Sequence, residues 1–280
     1  MKNKIEIGIM GGRLSNSINN EIQKFPKYTW RKEFELAKKC EFSKIEWVFD
    51  ELDNPILNHE EVKEMINLSN KHNVKINSLC ADYFMNHRLS TNNEDESEKN
   101  VQILKKIIEK CHQIGIKILE IPLVDQSSLA NKDDENNLRN NLQKIIPLIE
   151  KYDLILNLET DLPPKQFKEL IESFSSKNIK ANYDVGNSIS LGYNVVNELN
   201  ILKKLISNIH IKDRCLHGNT VFLGTGDVDF ELFFKTLKKI DYNGDLIIQG
   251  AREDEIRVSP FNTCEKYLNF VRQYALKYLG

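Results

Sequence analysis

Eight times along the chain a short run of β-branched and aliphatic residues is followed by a longer amphipathic segment, and this rhythm limits the fold more than any other feature of the sequence. A β-run followed by a helix-period run is one unit of a parallel sheet whose helices pack on its outside. The spacing predicts strands at 5–10, 44–48, 75–80, 117–122, 154–158, 181–184, 208–212 and 245–249. It predicts helices at 31–40, 60–71, 96–114, 135–151, 165–173, 196–207, 230–240 and 260–279. Eight strands each followed by a helix favour closure into an α/β fold of the (β/α)8 barrel type over an open sheet.

HNVKINSL, GIKILEI and YDLILNL each put a helix end or turn just before a strand. The long, irregular stretches instead follow strands: GGRLSNSINNEIQKFPKYTW, DYFMNHRLSTNNEDE, DQSSLANKDD and RCLHGNTVFLGTGDVD. In such a barrel the loops after the strands form the functional face. With 280 residues, no Pro/Ser-rich linker and no break in composition, the expectation is one barrel domain over 1–280. The start of the chain, MKNKIEIGIMGGRLS, has an apolar run too brief for a signal core or a membrane span and reads as the first strand.

A chain 40% hydrophobic and 29% charged has the composition of a globular protein with a core. Its formal net charge of -2 argues against a surface built to neutralise a nucleic-acid backbone and favours a small-molecule partner. Five cysteines, Cys40, Cys80, Cys111, Cys215 and Cys264, never pair as C-x-x-C, which fits a reducing cytoplasm and weakens any thiolate zinc site. The abundance of Asn, Lys and Ile reads as genome composition with no functional weight. Symmetric dimers are the commonest soluble assemblies, and a homodimer is left open.

Strand ends converge on one pocket, and here they are rich in polar residues: Glu46, Asp82, Glu120, Glu159, Asp184, His210, Lys212 and Gln249. Singly, each reads equally well as a satisfied core group or strand cap. Together, so many carboxylates would raise one another's pKa unless a cation sat among them, so one divalent ion is expected. Carboxylates with one imidazole suit Mn2+, Co2+, Mg2+ or Zn2+. Lys212, Arg252 and Arg13 face either the mouth, holding substrate hydroxyls, carboxylate or phosphate, or internal carboxylates in salt bridges. Phe25, Trp30, Trp47, Tyr83 and Phe84 read either as core or as an apolar wall for a sugar face. His59, His72, His87, His112 and His217 are assigned no catalytic part.

The segments LNLET around Glu159, NYDVGN around Asp184, HIKDR around His210, and LGTGDVDF resemble the sugar isomerase/epimerase superfamily of xylose isomerase-like TIM barrels, which also holds ketose 3-epimerases and AP endonucleases. The resemblance runs from GIMGGRL to the last helix. It implies that Glu159 ligates the metal and acts as base, that Asp184 and His210 ligate, and that position 249 completes the catalytic and metal set. Ketose epimerases carry a second glutamate there; Gln249 can still offer a carbonyl oxygen but is no general base. Asn187 stands where many relatives have histidine, and with Asp82 and Glu120 it reads as substrate-facing.

The implied chemistry is proton abstraction beside a carbonyl by Glu159, through a metal-stabilised cis-enediolate of a sugar, sugar phosphate or related hydroxy-carbonyl compound. Without a second glutamate at 249, aldose-ketose isomerisation is favoured unless Glu120, Asp82 or a water supplies the second acid. The alternatives are a lyase or dehydratase of the same superfamily and a non-catalytic sugar-binding barrel. No membrane or nucleic-acid partner is implied.

Overall fold

In a computed structural model that describes residues 5–280, eight parallel strands close into a barrel. They are β1 (Ile7–Met10), β2 (Lys44–Val48), β3 (Lys75–Cys80), β4 (Ile118–Leu123), β5 (Ile155–Thr160), β6 (Ile179–Asp184), β7 (Ile206–Ile211) and β8 (Asp245–Ile248). Each pairs with its neighbours in sequence order, and β8 closes on β1. The part of the N-terminal reading that falls on residues 1–4 lies outside the described residues. Among the described residues no helix is long and apolar enough to cross a membrane.

Two helical expectations change. The run expected at 135–151 is two helices, Lys132–Gln143 and Ile146–Lys151. Pro147, at the second position of the latter, has no N–H to give and would clash with the preceding turn, so one continuous helix cannot form. The helix expected at 196–207 is Val195–Leu202, followed by a 3-10 turn at Lys203–Leu205. Ile206, helical by pattern, instead pairs with Ala181 and starts β7, because sheet pairing outweighs local propensity.

The long loop after β7 is more ordered than its sequence suggests. Asp213–Arg214 and Thr220–Val221 form an antiparallel ribbon, and the Asp213 carboxylate accepts N–H bonds from Gly224, Gly226 and Val228 at 2.8, 2.9 and 3.2 Å. A Cβ at Gly226 would lie 2.8 Å from the Arg214 carbonyl oxygen, so only glycine lets LGTGD fold onto Asp213.

Side chains alternate in and out along each strand. The outward set packs against the helices, and Trp47 is part of it: its ring lies 4.8 Å from Phe25 and 5.5 Å from Trp30, and all three are buried. Tyr83 and Phe84 are buried too, so this aromatic group is core and not a wall for a sugar. The inward set is polar in its upper half. Asn157, Asn182 and Asn208 are fully enclosed there, which corrects the view of asparagine as compositional background.

Glu198, on the helix Val195–Leu202, braces β6 from outside by accepting hydrogen bonds from Tyr183 Oη at 3.0 Å and Ser188 Oγ at 3.1 Å. Burial pushes its carboxyl up to about 7 against the pull of those two bonds. A folded-state pKa above the unfolded one means that the stability tied to neutral Glu198 is complete below the ordinary glutamate range and is lost as pH rises through about 7. Between about pH 4 and about pH 8 the wild type should therefore lose about 3 kcal/mol relative to Glu198→Gln, measured by denaturant unfolding at each pH.

Candidate active site

Strand register brings the strand-end polar residues to one level. Asp184 is the register partner of His210, Glu120 of Cys80, and Glu46 of Met10. Because the period is two, Asn208, His210 and Lys212 climb the same inner face of β7 and its extension, just as Asn182 and Asp184 do on β6. After Asp184 the chain turns into the short helix Val185–Ser190, with Asp184 Oδ1 accepting the Asn187 N–H at 2.8 Å. A Cβ at Gly186 would lie 2.8 Å from Lys212 Cγ, so glycine in DVGN is what lets this turn and β7 approach.

His210 divides the carboxylates into two pairs. Its Nε2 lies 2.6 Å from Glu46 Oε1 and 3.1 Å from Glu120 Oε2, while its Nδ1 lies 3.4 Å from Glu159 Oε2 and 3.9 Å from Asp184 Oδ2. Glu46 is held in turn by Asn208, whose Nδ2 donates to Glu46 Oε2 at 3.1 Å and to Asn182 Oδ1 at 3.0 Å. Glu159 receives one amide N–H on each oxygen, from Asn182 and Asn187, both at 2.7 Å. Lys212 Nζ is 2.8 Å from Asp184 Oδ2.

The electrostatics follow from this packing. Burial works against a charge on His210, but Glu120 and then Glu46 outweigh it and hold the imidazole well above its usual range. Burial likewise pushes Glu120 well up, against the opposing charge of His210. At Glu159 burial is outweighed by His210 and then Lys212, and the carboxyl is held below the usual range. Asp82 is raised, mainly by burial. The site thus sets Glu159, held low, beside Glu120 and Asp82, both shifted upward by burial.

These groups surround a mouth cavity of about 520 Å3, within the range of roughly 300–1,000 Å3 common for small-molecule sites. Of the residues expected from sequence, Asp82, Glu120, Glu159, Asn187, Lys212 and Gln249 line it. Asp184 and His210 are buried beneath it. Arg13 and Arg252 do not line it: Arg252 donates to the Gly12 and Ser15 carbonyls at 2.8 and 2.9 Å, and both arginines donate to the Ile22 carbonyl, bracing the loop after β1. Arg252 also pairs with Glu255 at 2.8 Å, the salt bridge left open beside substrate binding, whereas Arg13 serves loop backbone and Gln23 and makes no such pair among the described residues.

Several residues of the site have no counterpart among the sequence candidates. Asn182 and Asn208 lie two residues before Asp184 and His210, so the strand period alone points to them. Gln23 and Arg214 come from loops, and Arg214 Nη1 reaches Asn187 Oδ1 at 2.9 Å. Cys80 donates its thiol to Asp82 Oδ1 at 3.1 Å.

Glu159, Asp184 and His210 offer one ligand atom each, all within 4.8 Å of one another, and Glu46, Glu120 and His210 do the same on the other side of the ring. The first set suits a divalent ion better. Its Glu159 lines the cavity and its His210 Nδ1 is buried without a hydrogen bond, as is Oε1 of Gln249 in the cavity wall, as donor atoms awaiting a cation would be. The second set has the form of an outer shell, in which Glu46 orients the imidazole through Nε2.

A family model described as the xylose isomerase-like TIM barrel matches residues 34–263. L-Ribulose-5-phosphate 3-epimerase UlaE of Escherichia coli (strain SMS-3-5 / SECEC) is 25% identical over 238 residues, covering 79% of this chain and 81% of that protein. Hydroxypyruvate isomerase of Escherichia coli (strain K12) is 24% identical over 233 residues, covering 79% and 87%. The crystal structure of the IOLI protein with a zinc atom superposes with a TM-score of 0.79 at 17% identity, over 98% of this chain and 99% of that one, a likeness of fold.

Proposed function

The chain belongs to the xylose isomerase-like TIM barrel family, and from that premise we propose that it is a divalent-metal-dependent isomerase or epimerase of a sugar, sugar phosphate or related hydroxy-carbonyl compound. The observation that carries this reading is Glu159: a carboxylate at the cavity, held ionised by His210 and Lys212, and aimed by two asparagine amides. The relatives, a ribulose-phosphate 3-epimerase and a hydroxypyruvate isomerase, both move a proton beside a carbonyl, which agrees with a base in that position.

In this reading Glu159, Asp184, His210 and the carbonyl oxygen of Gln249 would hold the ion, which would supply polarisation of the substrate carbonyl and its neighbouring hydroxyl. Glu159 takes the proton from the adjacent carbon. Asn182 and Asn187 keep its oxygens in place as the charge changes. Return of the proton needs an acid: Glu120 and Asp82 line the cavity and burial shifts both upward, which makes them the candidates for that part where Gln249 is not one. Lys212 and Arg214 bring positive charge to the Asn187 side of the cavity, where substrate hydroxyls or a phosphate would sit.

The test is proton exchange. Incubated with Mn2+ or Co2+ and a panel of ketoses and ketose phosphates in deuterated water, the protein is expected to place deuterium on the carbon next to the carbonyl of a substrate, to leave the product otherwise unchanged in mass, and to stop when a chelator is added. Loss of water from the product would instead identify a lyase. Absence of exchange from every compound that binds would leave a sugar-binding barrel.

A further inference from the structure

Position 249 is where this chain substitutes an amide for a carboxylate, and an amide differs from a carboxylate in one decisive way: only one of its two ends can ligate a cation. An amide at a metal centre therefore has to be oriented, and the structure contains a device that orients it. The loop between β1 and the helix Trp30–Lys39 crosses the mouth, and Gln23 enters the cavity from it. Gln249 Nε2 donates to Gln23 Oε1 at 2.5 Å, and Gln23 Nε2 donates to Asp82 Oδ2 at 2.5 Å.

The direction of this chain of donors is set from outside it. Arg13 Nη2 reaches Gln23 Oε1 at 3.4 Å, and a guanidinium has no acceptor, so the oxygen of Gln23 must face Arg13 and its NH2 must face Asp82. With that oxygen in place, only the NH2 of Gln249 can meet it. The adjoining backbone is pinned as well, since Arg13 and Arg252 both donate to the Ile22 carbonyl, Arg252 at 3.1 Å. Gln249 is anchored through its own N–H to the Ile211 carbonyl at 2.9 Å, one residue past His210. What remains of the Gln249 side chain is Oε1, buried and without a hydrogen bond.

We propose that Gln23 is a positioning residue that turns the Gln249 amide so that its carbonyl oxygen is presented to the divalent ion, closing a ligand set in which relatives with glutamate need no such device. The inference rests on the metal-dependent reading above. It also accounts for Arg13, which reaches Gln23, and for Arg252, which with Arg13 holds the adjoining Ile22 carbonyl.

The test is a double-mutant cycle read on metal binding. Gln23→Met keeps the length of the side chain and removes its polar end; it is made in the wild type and in Gln249→Glu, and each protein is titrated with Co2+ while the visible spectrum of the bound ion is recorded. Loss of an orienting partner typically weakens a metal site about 10- to 100-fold. In the wild-type background Gln23→Met should weaken Co2+ binding about tenfold and change the spectrum. In the Gln249→Glu background the same substitution should change the affinity less than about twofold, because a carboxylate presents an oxygen whichever way it is turned. Equal losses in both backgrounds would assign Gln23 a purely structural part and overturn the proposal, as would an unchanged affinity and spectrum in the wild-type background. A wild-type protein that takes up no Co2+ would overturn the functional reading itself, and this one with it.

Discussion

Replacing His210 with alanine is expected to weaken divalent-metal binding by at least about 100-fold, beyond what loss of an outer-shell partner alone does, and to destabilise the metal-free protein by about 3 kcal/mol. The two effects share one cause. His210 lies between two buried pairs of carboxylates, 2.6 Å from Glu46 and 3.1 Å from Glu120 through Nε2, and 3.4 Å from Glu159 through Nδ1. In the absence of a metal its positive charge is the central counterion of that cluster, and alanine leaves buried carboxylates facing one another across a cavity. Asn208 and Lys212 stay in place and meet part of the deficit at Glu46 and Asp184, which keeps the loss at the lower end of the range for a broken buried pair. Metal content of the purified protein and denaturant unfolding of its chelated form check the two numbers separately. A variant that keeps both metal and stability would show that the imidazole neither ligates nor neutralises.

The second large effect is chemical. Glu159→Gln is expected to lower turnover by roughly 10²- to 10⁴-fold, the amount attributable to a general base, and to abolish deuterium incorporation. The fold and most of the metal content should be retained, because the glutamine carbonyl still offers an oxygen and the side chain has the same shape. One local cost is expected. Both oxygens of Glu159 accept amide N–H groups, from Asn182 and Asn187, and the NH2 of glutamine can meet only one of those positions, against a donor. A mispaired buried amide costs about 1–3 kcal/mol, which denaturant unfolding would detect while leaving the protein folded. If exchange persists at an unchanged rate, the base is another group, and Glu120 and Asp82 become the residues to substitute. Measuring kcat and metal stoichiometry on the same samples separates loss of the base from loss of the ion.

Much of the site is a consequence of local pattern and of topology. Glu159, Asp184 and His210 stand at strand ends in runs that read as strands, and a closed parallel barrel carries every such end to one face whatever the other details of the chain. The same period places Asn182 and Asn208 one step beneath them, information present in the sequence but hidden by a composition rich in asparagine. The break at Pro147 is likewise local, since a missing N–H acts within one turn. The start of β7 at Ile206 is not: the residue has a helical pattern and becomes strand because Ala181 is there to pair with it.

The sequence alone was enough for the number of units, the barrel they close into, and the strand ends at which polar residues gather, because hydrophobic period and strand-end convergence depend on neighbours a few residues away. Only the tertiary structure decided which groups meet. It placed Glu46 against His210 across 164 positions of chain and Gln249 against Gln23 across 226, and it turned Arg13 and Arg252 away from the cavity towards the backbone of the loop they hold. A hydrogen bond or an ion pair is made within a few ångströms of space, and which two side chains come that close is fixed by the register of strands around the barrel and by the path of the loops over its mouth, neither of which local periodicity encodes.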